Sequence, residues 1–466
     1  MSTFPWTDVS VRQALGLRME LADRDVEYTG VTTDSRVVME GNLYVALVGE
    51  RFDGHDFVAE ALSKGAAGAV VSRPPQGDKD ARFYAVDDTL IALGELAAHR
   101  RRRLRAPVVA ITGSSGKTTT KEMTAAALGA TLRVHATRAN LNNRIGMPLT
   151  LLTAPEDAEA VVLELGTNEP GEIRALAQVA LPDIAVITTV GESHLEKLGS
   201  VQGVLDEKLD LLRHIAEGGH CVVGDEPPEL EVRARALWSE VRVAGWSERA
   251  DPDHRPIDAD VDVLGRYTFE WRGVRAEVPM VGRHAVSNAM IALTIADLLG
   301  VTPSDAVRGL ASAEVGAMRA EVRRIGELTV VVDCYNANPQ SVRASLDVLE
   351  GQASTAQKVA VLGTMLELGE ASTGLHRELL ADALAREIDL IVATGEFAVA
   401  AQALEATGSS RMITAATWRE AYPTLRDRLE GDEVVLLKAS RGVALEGILQ
   451  MLADDFSTLG TGSVEA

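Results

Sequence analysis

Residues 113–122, Gly113-Ser114-Ser115-Gly116-Lys117-Thr118-Thr119-Thr120-Lys121-Glu122, follow the apolar run Pro107-Val108-Val109-Ala110-Ile111 and lead into good helix formers from Met123 to Leu128. Strand, glycine turn, Gly-Lys-Thr and helix in that order are the setting of a loop that cradles phosphates. Gly113 and Gly116 let backbone N–H groups turn inward and approach oxygens with no Cβ in the way. The helix start adds partial positive charge, Lys117 adds a full one, and the Thr118 hydroxyl can reach Mg²⁺. The usual loop of this kind has a further glycine five residues before Gly116, where this chain has Ile111. A plain strand–helix turn is the alternative, and the flanking elements favour nucleotide binding.

Outward from this loop, residues 104–315 alternate apolar runs with helical patterns. Runs at 160–163, 184–187 and 221–223 predict a mostly parallel sheet with covering helices. The stretch around Gly273 reads as antiparallel strands, followed by helices over 285–299 and 303–311. Ligands of open parallel sheets gather at the carboxyl ends of strands. Glu164 closes one run, His194 follows another, and Asn142 and Asn143 sit in an amide-rich loop. A carboxylate and an imidazole beside a phosphate loop suit Mg²⁺ or Mn²⁺. Lys208, in a helical pattern over 201–216 with acidic neighbours, reads as a solvated lysine.

Residues 1–103 form a first α/β unit with short strands at 45–47 and 69–71 and a helix at 57–62. Its polar clusters, Thr33-Asp34-Ser35-Arg36 and Gly49-Glu50-Arg51-Phe52-Asp53-Gly54-His55, suit ligand loops and surface turns equally. Residues 316–466 alternate again, with strands at 328–332, 359–362, 390–392 and 434–437. Helices are expected at 340–349, 376–385, 398–406 and 444–452, giving an open doubly wound sheet. Asp333, Asn336 and Asn338 end the first of these strands, and Lys438 and Arg441 follow the last. The tail from Ser457 is small and polar, as frayed ends are.

With 466 residues, the chain is too long for one core, and three units fit its length. A net charge of −22 argues against a nucleic-acid-coating protein, which needs a basic face. The one basic run, Arg100 to Arg103 with Arg105, reads as a solvated linker. No stretch approaches the roughly 18 apolar residues of a membrane span. The N-terminus has no secretory pattern, and Cys221 and Cys334 read as small buried residues of a cytoplasmic protein.

Together these motifs resemble the Mur ligases over nearly the whole chain. The resemblance rests on Asp34-Ser35-Arg36, residues 49–55, Thr112 to Thr119 and Asn142-Asn143-Arg144-Ile145-Gly146-Met147-Pro148. It also rests on Glu164-Leu165-Gly166, His194-Leu195-Glu196, Asn288, residues 333–339, Met365-Leu366-Glu367-Leu368-Gly369 and Lys438-Ala439-Ser440-Arg441-Gly442. Mur ligases share the Ile-for-Gly loop. The Tyr-Asn-Ala-Asn-Pro and Met-Leu-Glu-Leu-Gly runs look like the member that adds D-alanyl-D-alanine to UDP-N-acetylmuramoyl-tripeptide. Departures are Thr364 where the family has Asp, Ala439 where it has Gly, and Leu209 beside the lysine that follows.

The resemblance implies a cytoplasmic, ATP-dependent amide ligase of peptidoglycan synthesis, acting as a monomer without nucleic acid or membrane insertion. Gly113, Ser114, Ser115, Gly116, Lys117, Thr118 and Thr119 would hold ATP phosphates. His284 and Asn288 would contact adenine, Arg319 the phosphates and Asp333 the ribose. Thr118, Glu164, His194 and a carbamylated Lys208 would ligate Mg²⁺ at two sites, with Lys117, Lys208, Glu164 and His194 catalytic. Asp34, Ser35, Arg36, Arg51, Asp53 and His55 would hold the UDP end. Asn142, Asn143, Asn336, Asn338, Lys438 and Arg441 would bind the remaining substrate groups. The alternatives are another Mur-type ligase, adding one amino acid or glutamate to a folate, and a non-catalytic nucleotide-binding regulator.

Overall fold

The strand Val108–Thr112 is buried along its whole length, as an unbroken apolar run requires. It stands inside a six-stranded sheet ordered 241–244, 220–224, 184–187, 108–112, 160–164, 134–136, with every pair parallel. The computed structural model describes residues 4–19, 26–49, 51–74, 82–314, 316–352 and 356–457. The expectations for Glu50 and for the tail 458–466 lie outside these residues.

The strand at 108–112 is flanked by 160–164 on one side and 184–187 on the other. Chain order reverses there, which opens a crevice beyond the carboxyl ends. Helix Lys117–Gly129 leaves that crevice and packs beneath the long helix Arg283–Leu298. The latter is apolar nearly all round (Ala285, Val286, Ala289, Met290, Ile291, Leu293) and is buried accordingly. The stretch around Gly273 forms a three-stranded antiparallel sheet of Ile257–Val261, Arg266–Trp271 and Val274–Val281, one strand more than its pattern predicts.

A second six-stranded sheet is ordered 321–325, 328–333, 434–438, 358–362, 390–394, 412–415, with only the 321–325 edge antiparallel. The strands at 321–325 and 412–415 and the helix Trp418–Arg426 carry no long apolar run, and the hydrophobic pattern gives no sign of them. The last helix is Ile448–Phe456, four residues later than its pattern suggests. Nearer the N-terminus, four parallel strands at 30–32, 42–45, 68–71 and 82–85 form a smaller sheet. The run Val45-Ala46-Leu47 enters it only through Val45. One apolar cluster joins Val109 and Ile111 to Val342 and Leu346, and another joins Val31 and Leu43 to Val161 and Leu163. The central sheet thus shares one face with each neighbour. No helix among the described residues is long and apolar enough to cross a membrane.

Arg100 and Arg101 correct the linker expectation, whereas Arg102, Arg103 and Arg105 are exposed as expected. Arg100 and Arg101 end the helix Thr89–Arg101 and are buried. Arg100 pairs with Glu156 at 2.8 Å, donates to the Ala154 carbonyl at 2.8 Å and lies over the Phe4 ring. Arg101 donates to the carbonyls of Ala180 at 2.8 Å and Leu181 at 2.7 Å and to Asp183 at 2.7 Å. These carbonyls lie at or just past helix C-termini, where acceptors lack helical partners and cations are favoured. A run of positive charge does not by itself distinguish water from such carbonyls.

Cys221 and Cys334 are free and fully buried, as expected. Burial pushes both thiols up to about 12. Neither should react with a thiol-specific disulfide reagent at pH 8 in the folded protein, and both should react once it is unfolded in guanidinium. Rapid labelling of the native chain would contradict this burial.

Candidate active site

The loop after Val108–Thr112 forms one wall of a cavity of about 700 Å³, which lies between the two large sheets. Its shape depends on two glycines. A Cβ on Gly116, whose φ is 81°, would overlap the Asn288 side chain, and one on Gly113 would overlap the Thr188 hydroxyl. Asn288 accepts from Thr120 at 3.2 Å, and Thr188 donates to the Ser115 carbonyl at 2.5 Å. The loop is therefore braced from two neighbouring elements before any ligand arrives.

Lys117 folds back to donate to the Gly113 carbonyl at 2.7 Å. Burial pushes this lysine below its usual range, against the opposing pull of Glu164. Glu164 arrives beside it because Ile111 and Glu164 are partners in the parallel register. Glu164 Oε1 accepts from Asn142 at 2.7 Å, while its buried Oε2 has no hydrogen-bond partner. An anionic oxygen without a partner fits a cation. Among the described residues, no group of three or more His, Cys, Asp or Glu could hold a metal ion. Protein carboxylates and imidazoles alone therefore do not complete a coordination shell here.

Lys208 corrects the solvated-face expectation. The helix ends at Leu209, and the Lys208 side chain is buried. Burial, reinforced by the Lys117 charge, pushes it well below the usual lysine range. Neighbouring Glu207 is occupied instead by the backbone N–H groups of Gly171 at 2.7 Å and Ile173 at 2.8 Å. The i,i+3 and i,i+4 pattern fails because the helix turns this face toward the core.

The opposite wall comes from the second large sheet. Asp333 and Lys438 end adjacent strands in register, and Lys438 Nζ lies 2.6 Å from Asp333 Oδ2. Burial pushes Asp333 up, but Lys438 and the Ser345 hydroxyl outweigh it, leaving the carboxyl below its usual range. Asn338 caps the helix Pro339–Glu350 and also donates to Ser115 Oγ at 3.0 Å. Thr189 donates to Gln340 Oε1 at 2.8 Å. The two sheets thus meet beside the 113–119 loop. Arg319 stacks on Tyr335, with its guanidinium carbon 3.8 Å from the ring centroid. Burial lowers the His284 imidazole against the pull of Asp333.

Ser114 to Thr119, Asn142, Asn143, Glu164, His194, His284, Asn288, Arg319, Asp333, Asn336, Asn338 and Lys438 all line the cavity. Gly113, Lys208 and Arg441 do not. Gly113 packs on Thr188, Lys208 lies within electrostatic reach of Lys117, and Arg441 pairs with Glu446 at 2.7 Å. The first-unit residues also lie apart from it. Asp34 is engaged by Arg36, and Asp53 pairs with Arg73 and with His55 at 2.6 Å. His55 Nε2 accepts from the Ser72 N–H at 2.9 Å, which ties this loop to the end of the strand at 68–71. Ser35 is buried, and Arg51 is exposed. Trp246, with Arg283 stacked on it, and Gln340 were not predicted. Trp246 follows the strand end at 244, and that position was the signal available in the sequence.

The departures named above are accommodated. The Thr364 hydroxyl accepts from the Glu396 N–H at 3.1 Å, Ala439 is fully buried, and Leu209 joins the core.

Three family profiles match: the Mur ligase family catalytic domain over 27–101, the Mur ligase middle domain over 111–296 and the Mur ligase glutamate ligase domain over 318–441. A UDP-N-acetylmuramoyl-tripeptide–D-alanyl-D-alanine ligase of Bacillus subtilis is 36% identical, with 93% of this chain and 96% of that one covered. MurF from Acinetobacter baumannii superposes with a TM-score of 0.88 at 32% identity, over 97% of this chain and all of that one. MurF from Thermotoga maritima, solved in complex with ADP, gives 0.81 at 29% identity over 92% and 98%. This chain belongs to the Mur ligase family.

Proposed function

We propose that the chain is an ATP-dependent amide ligase that joins D-alanyl-D-alanine to UDP-N-acetylmuramoyl-tripeptide, with ADP and phosphate released. The observation that carries this is end-to-end likeness to a relative bearing that activity in its name, at 36% identity. A relative solved with ADP supports ATP as the co-substrate. Residues 1–103 hold the UDP end, 104–315 hold ATP, and 316–466 bring the dipeptide. The work belongs to the cytoplasmic stage of peptidoglycan synthesis, and the chain acts as a monomer.

In this reaction a carboxylate oxygen of the tripeptide attacks the γ-phosphorus, and the bond to ADP breaks. The dipeptide amine then attacks the acyl carbon, phosphate leaves, and the amine gives up a proton. Two anions must meet in the first step. The half-buried Lys117 ammonium, aided by loop N–H groups, screens that repulsion and holds the oxygens in line. Asn338 and Gln340 close the cavity from the other side and keep water from the acyl phosphate.

Mg²⁺ fits the partnerless oxygen of Glu164. Thr118, Glu164, His194 and Lys208 would hold two such ions, Lys208 after its amine adds CO₂ and loses a proton. When bound, Mg²⁺ supplies positive charge against the phosphate oxygens. The burial that pushes the Lys208 amine well below the usual lysine range, toward its nucleophilic neutral form, supports this reading.

A panel of amines incubated with ATP, Mg²⁺ and UDP-N-acetylmuramoyl-tripeptide, read by phosphate release and product mass, tests the assignment. D-Alanyl-D-alanine is expected to be the favoured acceptor. Preference for a single amino acid would move the chain to another Mur-type activity, and no amide product would remove the ligase reading.

A further inference from the structure

His194 and Glu367 come from different sheets and are 173 positions apart in the sequence, yet His194 Nδ1 lies 2.6 Å from Glu367 Oε2. The contact is at ion-pair distance but off the line of the ring N–H, so it is not a good hydrogen bond. Both residues have left-handed backbones, with φ of 53° at His194 and 65° at Glu367. Non-glycine residues hold such angles at a cost in strain, where the surroundings over-determine them. Two such residues touching across an interface concentrate strain at one point.

The surroundings do hold both. His194 precedes the short helix Leu195–Leu198 and accepts from Leu198 N–H at 3.0 Å. The loop carrying Glu367 is tied down on either side. Met365 N–H donates to the buried His376 Nε2 at 2.9 Å, and Leu366 N–H donates to Ser440 Oγ at 3.0 Å. Glu196 N–H donates to the Glu367 carbonyl at 3.2 Å, which adds a backbone bond to the side-chain contact. Gly369 packs so tightly on Glu196 that a Cβ would approach its Cα to 2.9 Å. This is a built joint between a rigid turn of the central sheet and a rigid turn of the other.

We infer that Glu367 is a positioning residue for His194, so that docking of the 316–466 unit and orientation of this imidazole are one event. The inference rests on the proposed ligase reading for its kinetic consequence. A carboxylate beside Nδ1 favours the tautomer with the proton there and leaves Nε2 for the cavity that His194 lines. With the 316–466 unit undocked, no residue of the central sheet replaces that carboxylate in the contacts described, and the ring loses its fixed orientation. The site is then assembled only when the dipeptide-bringing unit is in place.

Glu367→Ala and Glu367→Gln test this, and the half-exposed side chain makes both compatible with folding, to be checked by melting. In protein labelled with ¹⁵N-histidine, without metal or nucleotide, the His194 ring signals are assigned with His194→Asn. Wild type is expected to show the Nδ1–H tautomer, with Glu367→Ala shifting toward a tautomer mixture and Glu367→Gln falling between. In turnover, kcat for Glu367→Ala should fall about 10- to 100-fold with ATP affinity by calorimetry little changed. Unchanged ring signals and unchanged kcat in Glu367→Ala would overturn the inference. If wild type makes no amide product, the ligase reading fails, while the ring signals still decide whether Glu367 orients His194.

Discussion

Replacing Lys117 with alanine is expected to lower ligation by at least about 10²–10³-fold while binding of the UDP-linked substrate survives. The reason is the position of its charge. Lys117 is held in the loop by the Gly113 carbonyl, within electrostatic reach of Glu164 and Arg319. A triphosphate entering the cavity supplies better acceptors than one carbonyl and draws the ammonium forward. Without it, two anions must approach each other in a cavity sheltered from bulk water, where Coulomb repulsion is poorly screened. The UDP-end candidates lie in a separate region, around residues 34–55, outside the cavity lining. Phosphate release and substrate calorimetry on the variant measure the two effects separately. Turnover within a few-fold of wild type would remove the phosphate-loop assignment.

Asp333→Asn is expected to cost about 3–5 kcal/mol of stability at pH 7, because it leaves the Lys438 ammonium buried without its counter-charge. Lys438 keeps only the Asn336 carbonyl, at 2.9 Å. The pH dependence gives an independent check. The Asp333 carboxyl lies below its usual range in the folded chain, so its contribution is fully present above the unfolded value, about 4. It is lost as pH falls through the lower folded value. The gap between wild type and variant in guanidinium unfolding should be wide at pH 7 and shrink below pH 4. A gap that does not change with pH would mean that the pair does not carry the stability.

Much of the architecture was legible because its cause is local. An unbroken apolar run such as 108–112 or 434–437 has few homes other than a strand covered on both faces, and alternation with helices makes the sheets parallel. The turn at 113–116 and the helix start at Lys117 were legible for the same reason, since their glycines, lysine and helix formers are contiguous. Short edge strands such as 412–415 were missed because they bury only part of their length and leave no continuous apolar signal.

Side-chain environment was less legible. Arg100 and Lys208 both carry charge in polar neighbourhoods of sequence, and both are buried. For Arg100 the partners are a carbonyl and a carboxylate more than fifty positions away. For Lys208 the cause is the turn of its helix face toward the core, which spacing along the sequence does not reveal.

The sequence by itself determined the buried inner strands of the two large sheets, the turn and helix start at 113–119 and the polar residues at strand ends, because each follows from neighbours a few positions apart. Only the tertiary structure decided that Asp333 meets Lys438, that Asn338 touches Ser115 and that Glu367 reaches His194. Those contacts depend on strand register and on how two sheets dock, and both are set by packing summed over the whole core.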